Sequence, residues 1–222
     1  MYVEPCCAEN QLPRLLRQAN GSAVLFQTAG DVTLEHMMKA VMLMSGDRPR
    51  VLTLALPQLS ADVVALLRRY MSLEWVAHLN LITSDTTITT HPSPITQMGV
   101  PMQQITVALV GDACPLGLLM FAGPSGTVAI QGPLCPAPSQ GLHLYSAIYG
   151  PSGSPLMRSF TDPITAYIKA RAVEIEAPKA DDAATSEATS PSAEAEPMAE
   201  EGNQPRVVAE KKSRPKSRPT KK

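Results

Sequence analysis

Between Ser22 and Thr83 the apolar residues change spacing four times, from strand period to helix period and back, across short connections. Ser22 to Thr28 is a short apolar run of strand length. Asp31 or Thr33 then offers a side-chain oxygen to cap a helix, because the first turn has N–H groups without carbonyl partners. In that helix Leu34, Met37, Met38, Val41 and Met42 follow the i, i+3, i+4, i+7, i+8 pattern of one apolar face, and Gly46 stops it. Arg50 to Leu56 predicts a second strand. Ser60 caps a second helix with Val63, Leu66, Leu67 and Tyr70 inward, and Val76 to Thr83 predicts a third strand. An earlier helix is expected from Asn10 to Ala19, carrying Leu12, Leu15 and Leu16 on one face. Strand, helix, strand, helix, strand with tight joints is the pattern of a sheet with parallel members covered by helices.

After Asp85 the texture changes. Thr86 to Gln103 is rich in Thr, Pro and Met and predicts a long loop or an irregular edge strand. Four strand-like runs follow at Ile105 to Val110, Gly117 to Phe121, Thr127 to Gln131 and Leu142 to Tyr149, separated by Gly- and Pro-rich turn signals. Asp162-Pro163 predicts a cap and first turn of a helix reaching about Arg171. The expected fold class is α/β: one domain over residues 1–173, with a mixed, partly parallel sheet flanked by helices.

Beyond that domain the charge is sorted. Residues 174–204 carry nine acids against Lys179 alone, while residues 205–222 carry eight bases against Glu210. The first 173 residues hold ten of each sign, so the total of −1 conceals a neutral body with a two-signed arm. An Ala-, Pro-, Ser- and Glu-rich stretch buries too little apolar surface to offset chain entropy, so residues 174–204 are expected to be an acidic disordered linker and 205–222 a basic disordered tail. The tail bases are Arg206, Lys211, Lys212, Arg214, Lys216, Arg218, Lys221 and Lys222. Each base reaching a phosphate releases counterions, which gives salt-sensitive, sequence-independent nucleic-acid contact. No aromatic interleaves them, so stacking on bases is not indicated. The basic end folding back on its acidic half, or meeting an acidic partner, are the competing readings.

Chemistry-bearing motifs are scarce. The chain has no GxSxG, P-loop lysine or GxGxxG pattern. His36, His78, His91 and His143 each lack a triad-like setting. Cys6, Cys7, Cys114 and Cys135 show no zinc spacing, so free thiols in a reducing compartment are expected, with no metal and no cofactor. Ser152-Gly153-Ser154-Pro155 reads as a glycine turn, and Arg68-Arg69 as a solvated helix face. The start of the chain lacks the basic and apolar regions of a secretory signal. The longest apolar stretch, Pro115 to Ala129, is broken at Gly123 to Gly126 and is shorter than the ~20 residues a membrane helix needs. A cytoplasmic protein is the expectation.

One segment carries a family likeness. Leu118 to Cys135, two apolar runs around Gly123-Pro124-Ser125-Gly126, resembles in spacing the H-x-K-x4-D-x6-G-S-x-N signature of the phospholipase D-like superfamily. The strand and helix order from Ser22 to Arg171 is similar to that domain as well. Only Gly132 matches a signature residue. Leu118 stands at the nucleophilic histidine, Met120 at the phosphate-binding lysine and Ser125 at the aspartate, while Pro133 and Cys135 stand at the Ser and Asn positions. An alkyl chain cannot attack phosphorus and a thioether cannot neutralise a phosphate. The resemblance therefore implies a catalytically dead domain.

The expected function is a non-enzymatic scaffold or interaction module with a tail making non-specific nucleic-acid contacts. Two alternatives stay open. One is an enzyme or small-molecule binder with its site in the loops Thr28 to Asp31, Thr83 to Thr87 or Gly111 to Cys114, where ligands of parallel sheets commonly bind. The other is a homo-oligomer joined through Leu73, Trp75 and the Met-rich helix.

Overall fold

The computed structural model describes residues 2–3, 8–18, 21–44, 50–90, 92–111 and 117–175. The acidic linker beyond residue 175, the whole basic tail, Cys6, Cys7, Cys114, Gly46 and His91 lie outside the described residues. In chain order the elements are β1 (Tyr2–Val3), α1 (Ala8–Gln18), β2 (Val24–Ala29), α2 (Leu34–Met42), β3 (Val51–Leu56), α3 (Ala61–Ser72), β4 (His78–Thr83), β5 (Ile105–Leu109), β6 (Gly117–Gly123), β7 (Gly126–Gly132), β8 (Leu142–Gly150), α4 (Pro155–Arg171) and β9 (Ala172–Val173). The strands form one mixed sheet in the order β1-β2-β8-β7-β6-β3-β4-β5-β9.

β3, β4 and β5 run parallel, joined by the α3 crossover and by the long segment after β4, and β1 runs parallel to β2. The antiparallel strands β6, β7 and β8 lie between β3 and β2, so the first two strands of the alternating pattern are not neighbours. The short outer strands β1 and β9 were not apparent from sequence, since two residues carry no period. They pair with β2 and β5 and shorten the exposed sheet edges.

Alternation along each strand sorts the side chains onto two faces. One face carries Phe26, Leu52, Leu54, Leu79, Leu81, Leu119, Phe121, Val128, Ile130 and Tyr145, all buried in the main core. Leu12 and Leu16 of α1, Met37, Met38 and Val41 of α2, and Val63, Leu67 and Tyr70 of α3 close over them. Ser60 accepts from the Val63 N–H at the start of α3, as its capping role predicts. The other face carries a smaller cluster of Ala55, Ile82, Ala108 and Leu118, covered by Ile168, Phe160 and Ile164 of α4. That face is left open over β2 and β8, where Leu25, Leu142 and Leu144 are 65%, 67% and 57% exposed.

Two expectations are corrected, and one choice between alternatives is decided. The last helix starts at Pro155, with Ser154 Oγ accepting from the Met157 N–H, so Pro163 is internal to it. Ser154-Pro155 is itself a cap followed by proline in the first turn, which the neighbouring glycine masked. Of the two readings for residues 86–103 the loop holds: among the described residues there is no strand, 3-10 turns stand at Thr86–Thr89, Thr96–Met98 and Met102–Gln104, and Ile88, Ile95 and Met98 are buried. The Met-rich face of α2 cannot serve as an oligomer contact because Met37 and Met38 are in the core. Trp75 packs edge-on against Tyr70 with ring centroids 5.3 Å apart, and of that trio only Leu73 is largely exposed.

Candidate functional site

The five positions carried by the phospholipase D-like resemblance fall on the β6–β7 hairpin and the loop after it. Leu118 and Met120 project from β6 to the α4 face and are 7% and 6% exposed. Leu118 packs into the cluster beneath α4, and Met120 sits between Thr53 of β3 and Ala129 of β7 in register. Ser125 is exposed in the hairpin turn beyond Gly123. At ~3.3 Å per residue, that turn is about 17 Å along β6 from Leu118. Gly132 pairs with Gly117 at the opposite end of the hairpin. Its φ of 155° and its closeness to the Tyr145 ring both demand glycine: a Cβ there would stand 2.9 Å from Tyr145 Cε1. Hence Gly132 and Cys135 lie at one end of the hairpin, and Ser125 at the other.

Most other candidates resolve into structural roles. His36 Nδ1 accepts from the Thr33 N–H at 3.1 Å and lies 3.0 Å from Thr33 Oγ1, so it closes the first turn of α2. His78 Nε2 is 2.9 Å from Thr106 Oγ1 across β4 and β5. Arg69 bonds Glu35, which also pairs with Lys39 at 3.1 Å, while Arg68 borders a shallow surface cleft. The Arg69 hydrogen bond holds the Glu35 carboxyl below the usual carboxylate range. In the loop after β4, Asp85 accepts from Thr87 Oγ1 at 2.7 Å and from the Thr87 N–H at 2.9 Å, and the Thr87 hydroxyl holds its carboxyl low. That carboxylate is a turn cap. Of the segment Gly111 to Cys114, only Gly111 is described.

The loop after β2 is different. Gly30 N–H donates to the Gly141 carbonyl at 2.9 Å, and Gly30 O accepts from the Ser139 N–H at 2.7 Å, clamping residues 139–141 onto the end of β2. Ser139 Oγ is thereby held 2.7 Å from His143 Nε2 and 3.8 Å from Cys135 Sγ, and it reaches Gly30 O at 3.2 Å. Cys135 is a half-buried free thiol whose carbonyl accepts from the Leu34 N–H at the amino end of α2, at 2.7 Å. The loop is tied down at its start too: Tyr145 Oη donates to the Pro133 carbonyl at 2.7 Å.

On the face of His143 lies a buried hydroxyl. Thr28 is the register partner of His143, and directly opposed residues project to the same face. Thr28 is fully buried, and its Oγ1 has no hydrogen-bond partner. Burial pushes the neighbouring Tyr145 phenol up to about 12, only partly opposed by the nearby Thr28 hydroxyl, and a negative charge on Cys135 would raise it further. The phenol stays protonated and donates to Pro133. A sulfur, a hydroxyl and an imidazole thus stand in series, anchored through backbone hydrogen bonds to α2, β2 and β8.

No protein-family model and no curated protein matches the chain. Sequence reading singled out Cys135 and His143 separately and missed Ser139. The available signal was their spacing of four residues each, hidden by the Pro-rich turn composition of residues 133–140. Among the described residues no group of three or more His, Cys, Asp and Glu side chains is placed to hold a metal ion, and no helix is long and apolar enough to cross a membrane.

Proposed function

We propose that this chain is a non-enzymatic, self-associating module, a catalytically silent relative of the phospholipase D-like fold, working in the cytoplasm. The observation that carries the reading is the open leucine surface on β2 and β8. Leu25, Leu142 and Leu144 stand out from one sheet face with Gln27 and Ser146 between them and no charged side chain in the paired register. Such a patch on a sheet is an interaction surface by its cost in water. The occupant is a second copy, because the body is electrically neutral and two copies bring no net repulsion together. Aliphatic Leu118 and Met120, where the family resemblance would put a nucleophile and a phosphate grip, support the absence of phosphodiester chemistry. The basic tail adds weak nucleic-acid contact to each copy.

Light scattering across a concentration series tests self-association. Wild type is expected to dimerise and a Leu25→Asp, Leu144→Asp variant to remain monomeric; a monomeric wild type at high concentration overturns it. Removing residues 205–222 is expected to abolish low-salt binding of duplex DNA, and unchanged binding removes the tail role. A second reading, a small-molecule site at the loop after β2, is favoured by the Cys135, Ser139 and His143 contacts.

A further inference from the structure

Cys135 has more around it than a buried spacer thiol needs. Ser139 Oγ touches both its sulfur and His143 Nε2, so one hydroxyl links a potential nucleophile to a base. Two proton arrangements fit these atoms. With a neutral imidazole, the thiol donates to Ser139 Oγ and Ser139 donates to Nε2. After one proton has moved along the chain, Nε2–H donates to Ser139 Oγ and Ser139 donates to the thiolate. That is the connectivity of an activated cysteine, with the base acting through a bridging hydroxyl. The amino end of α2, whose Leu34 N–H meets the Cys135 carbonyl, is where negative charge is favourably placed. Independently, Thr28 Oγ1 is buried on the same face, opposite His143, with no hydrogen bond of full geometry beyond its approach to the Tyr145 phenol. An unsatisfied buried hydroxyl in a native structure calls for a polar atom to meet it.

We propose that Cys135 is a site of reversible oxidation by a hydroperoxide. This rests on the second reading above and is independent of self-association. The ligand class follows from the setting. Cys135 is half-buried with Ser139 against its sulfur, so a small electrophile reaches it more readily than a bulky one. A peroxide offers one oxygen to sulfur and a second to a neighbouring donor such as the Ser139 hydroxyl. The Cys135 thiol proton passes through Ser139 to His143, and the thiolate attacks the near oxygen. The S–O bond forms as the O–O bond breaks. Sulfur loses two electrons, the peroxide is reduced, and the departing alkoxide or hydroxide takes the proton back from His143. The products are Cys135 sulfenic acid and an alcohol or water.

The test uses the full chain with hydrogen peroxide, dimedone to trap sulfenic acid, and peptide mass spectrometry, with Cys6, Cys7 and Cys114 as internal references. The Cys135 peptide is expected to be labelled about tenfold faster or more than the other three, and that excess to vanish in Ser139→Ala and His143→Gln. Circular dichroism confirms that both variants fold. Iodoacetamide is run in parallel. Fast alkylation with no dimedone adduct overturns the peroxide assignment while leaving a reactive site. Cys135 alkylated no faster than the other cysteines overturns the site at the β2 loop as well.

Discussion

Gly30 and Ser139 are packed so closely that no side chain fits at position 30: a Cβ on Gly30 would overlap the Ser139 carbonyl oxygen and lie 2.7 Å from its carbonyl carbon. The contact joins residues far apart in sequence and is closed by two backbone hydrogen bonds, Ser139 N–H to Gly30 O at 2.7 Å and Gly30 N–H to Gly141 O at 2.9 Å. Gly30→Ala is therefore expected to destabilise the domain by about 1–3 kcal/mol through overpacking. It should also release Ser139 from His143. Urea denaturation measures the first effect. The second is read from the imidazole proton and nitrogen shifts of His143 by NMR, which should move toward those of Ser139→Ala.

Tyr145 gives a stability signature at alkaline pH. Burial pushes its phenol up to about 12 in the folded state, against an ordinary value near 10. Between those values the folded chain holds a proton that the unfolded chain has lost, so stability falls as pH rises. The contribution is fully present below about pH 10 and gone above about pH 12. Unfolding midpoints of wild type should drop across that window, and those of Tyr145→Phe should drop less steeply. A parallel decline in both would reject the assignment.

Helix α3 ends with an unusual residue. Trp75 N–H bonds the Tyr70 carbonyl at 3.0 Å and Glu74 N–H the Met71 carbonyl at 2.9 Å, a Schellman closure with Glu74 at the left-handed position, φ 56°. Glycine is the residue that adopts this conformation without a Cβ penalty. Glu74→Gly should stabilise the domain by about 1 kcal/mol. Thermal melting shows this as a rise in midpoint, and a fall would show that the Glu74 side chain outweighs its backbone strain.

Placing the lysine of the phospholipase D-like signature at position 120 is expected to damage the fold without creating activity. Met120 is 6% exposed between Thr53 and Ala129, with no acid opposite it in the register. A charge left unpaired there costs about 3–5 kcal/mol. Met120→Lys should therefore shift the denaturation midpoint strongly and leave hydrolysis of a phosphodiester chromogen at background. A stable, active variant would mean that the β6 face is a working site.

The helices and inner strands were legible because their signals are local. Leu34, Met37, Met38 and Val41 announce a buried helix face by spacing alone, and Thr33 and Ser60 mark the starts of that helix and of α3. Local period also hid things. Ser154-Pro155 was overshadowed by Asp162-Pro163, since both satisfy the same cap rule, and only packing of Phe160, Ile164 and Ile168 onto the sheet selects the longer helix.

The amino-acid sequence by itself determined the α/β class, the order of the main elements and the apolar character of positions 118 and 120. Strand order and the Cys135–Ser139–His143 constellation were decided by tertiary structure alone. Both depend on pairings between distant segments, β2 with β8 and Gly30 with residues 139–141, whose partners are chosen by shape and hydrogen-bond closure. Period and composition record which face of a segment is buried. They carry no record of which segment it is buried against.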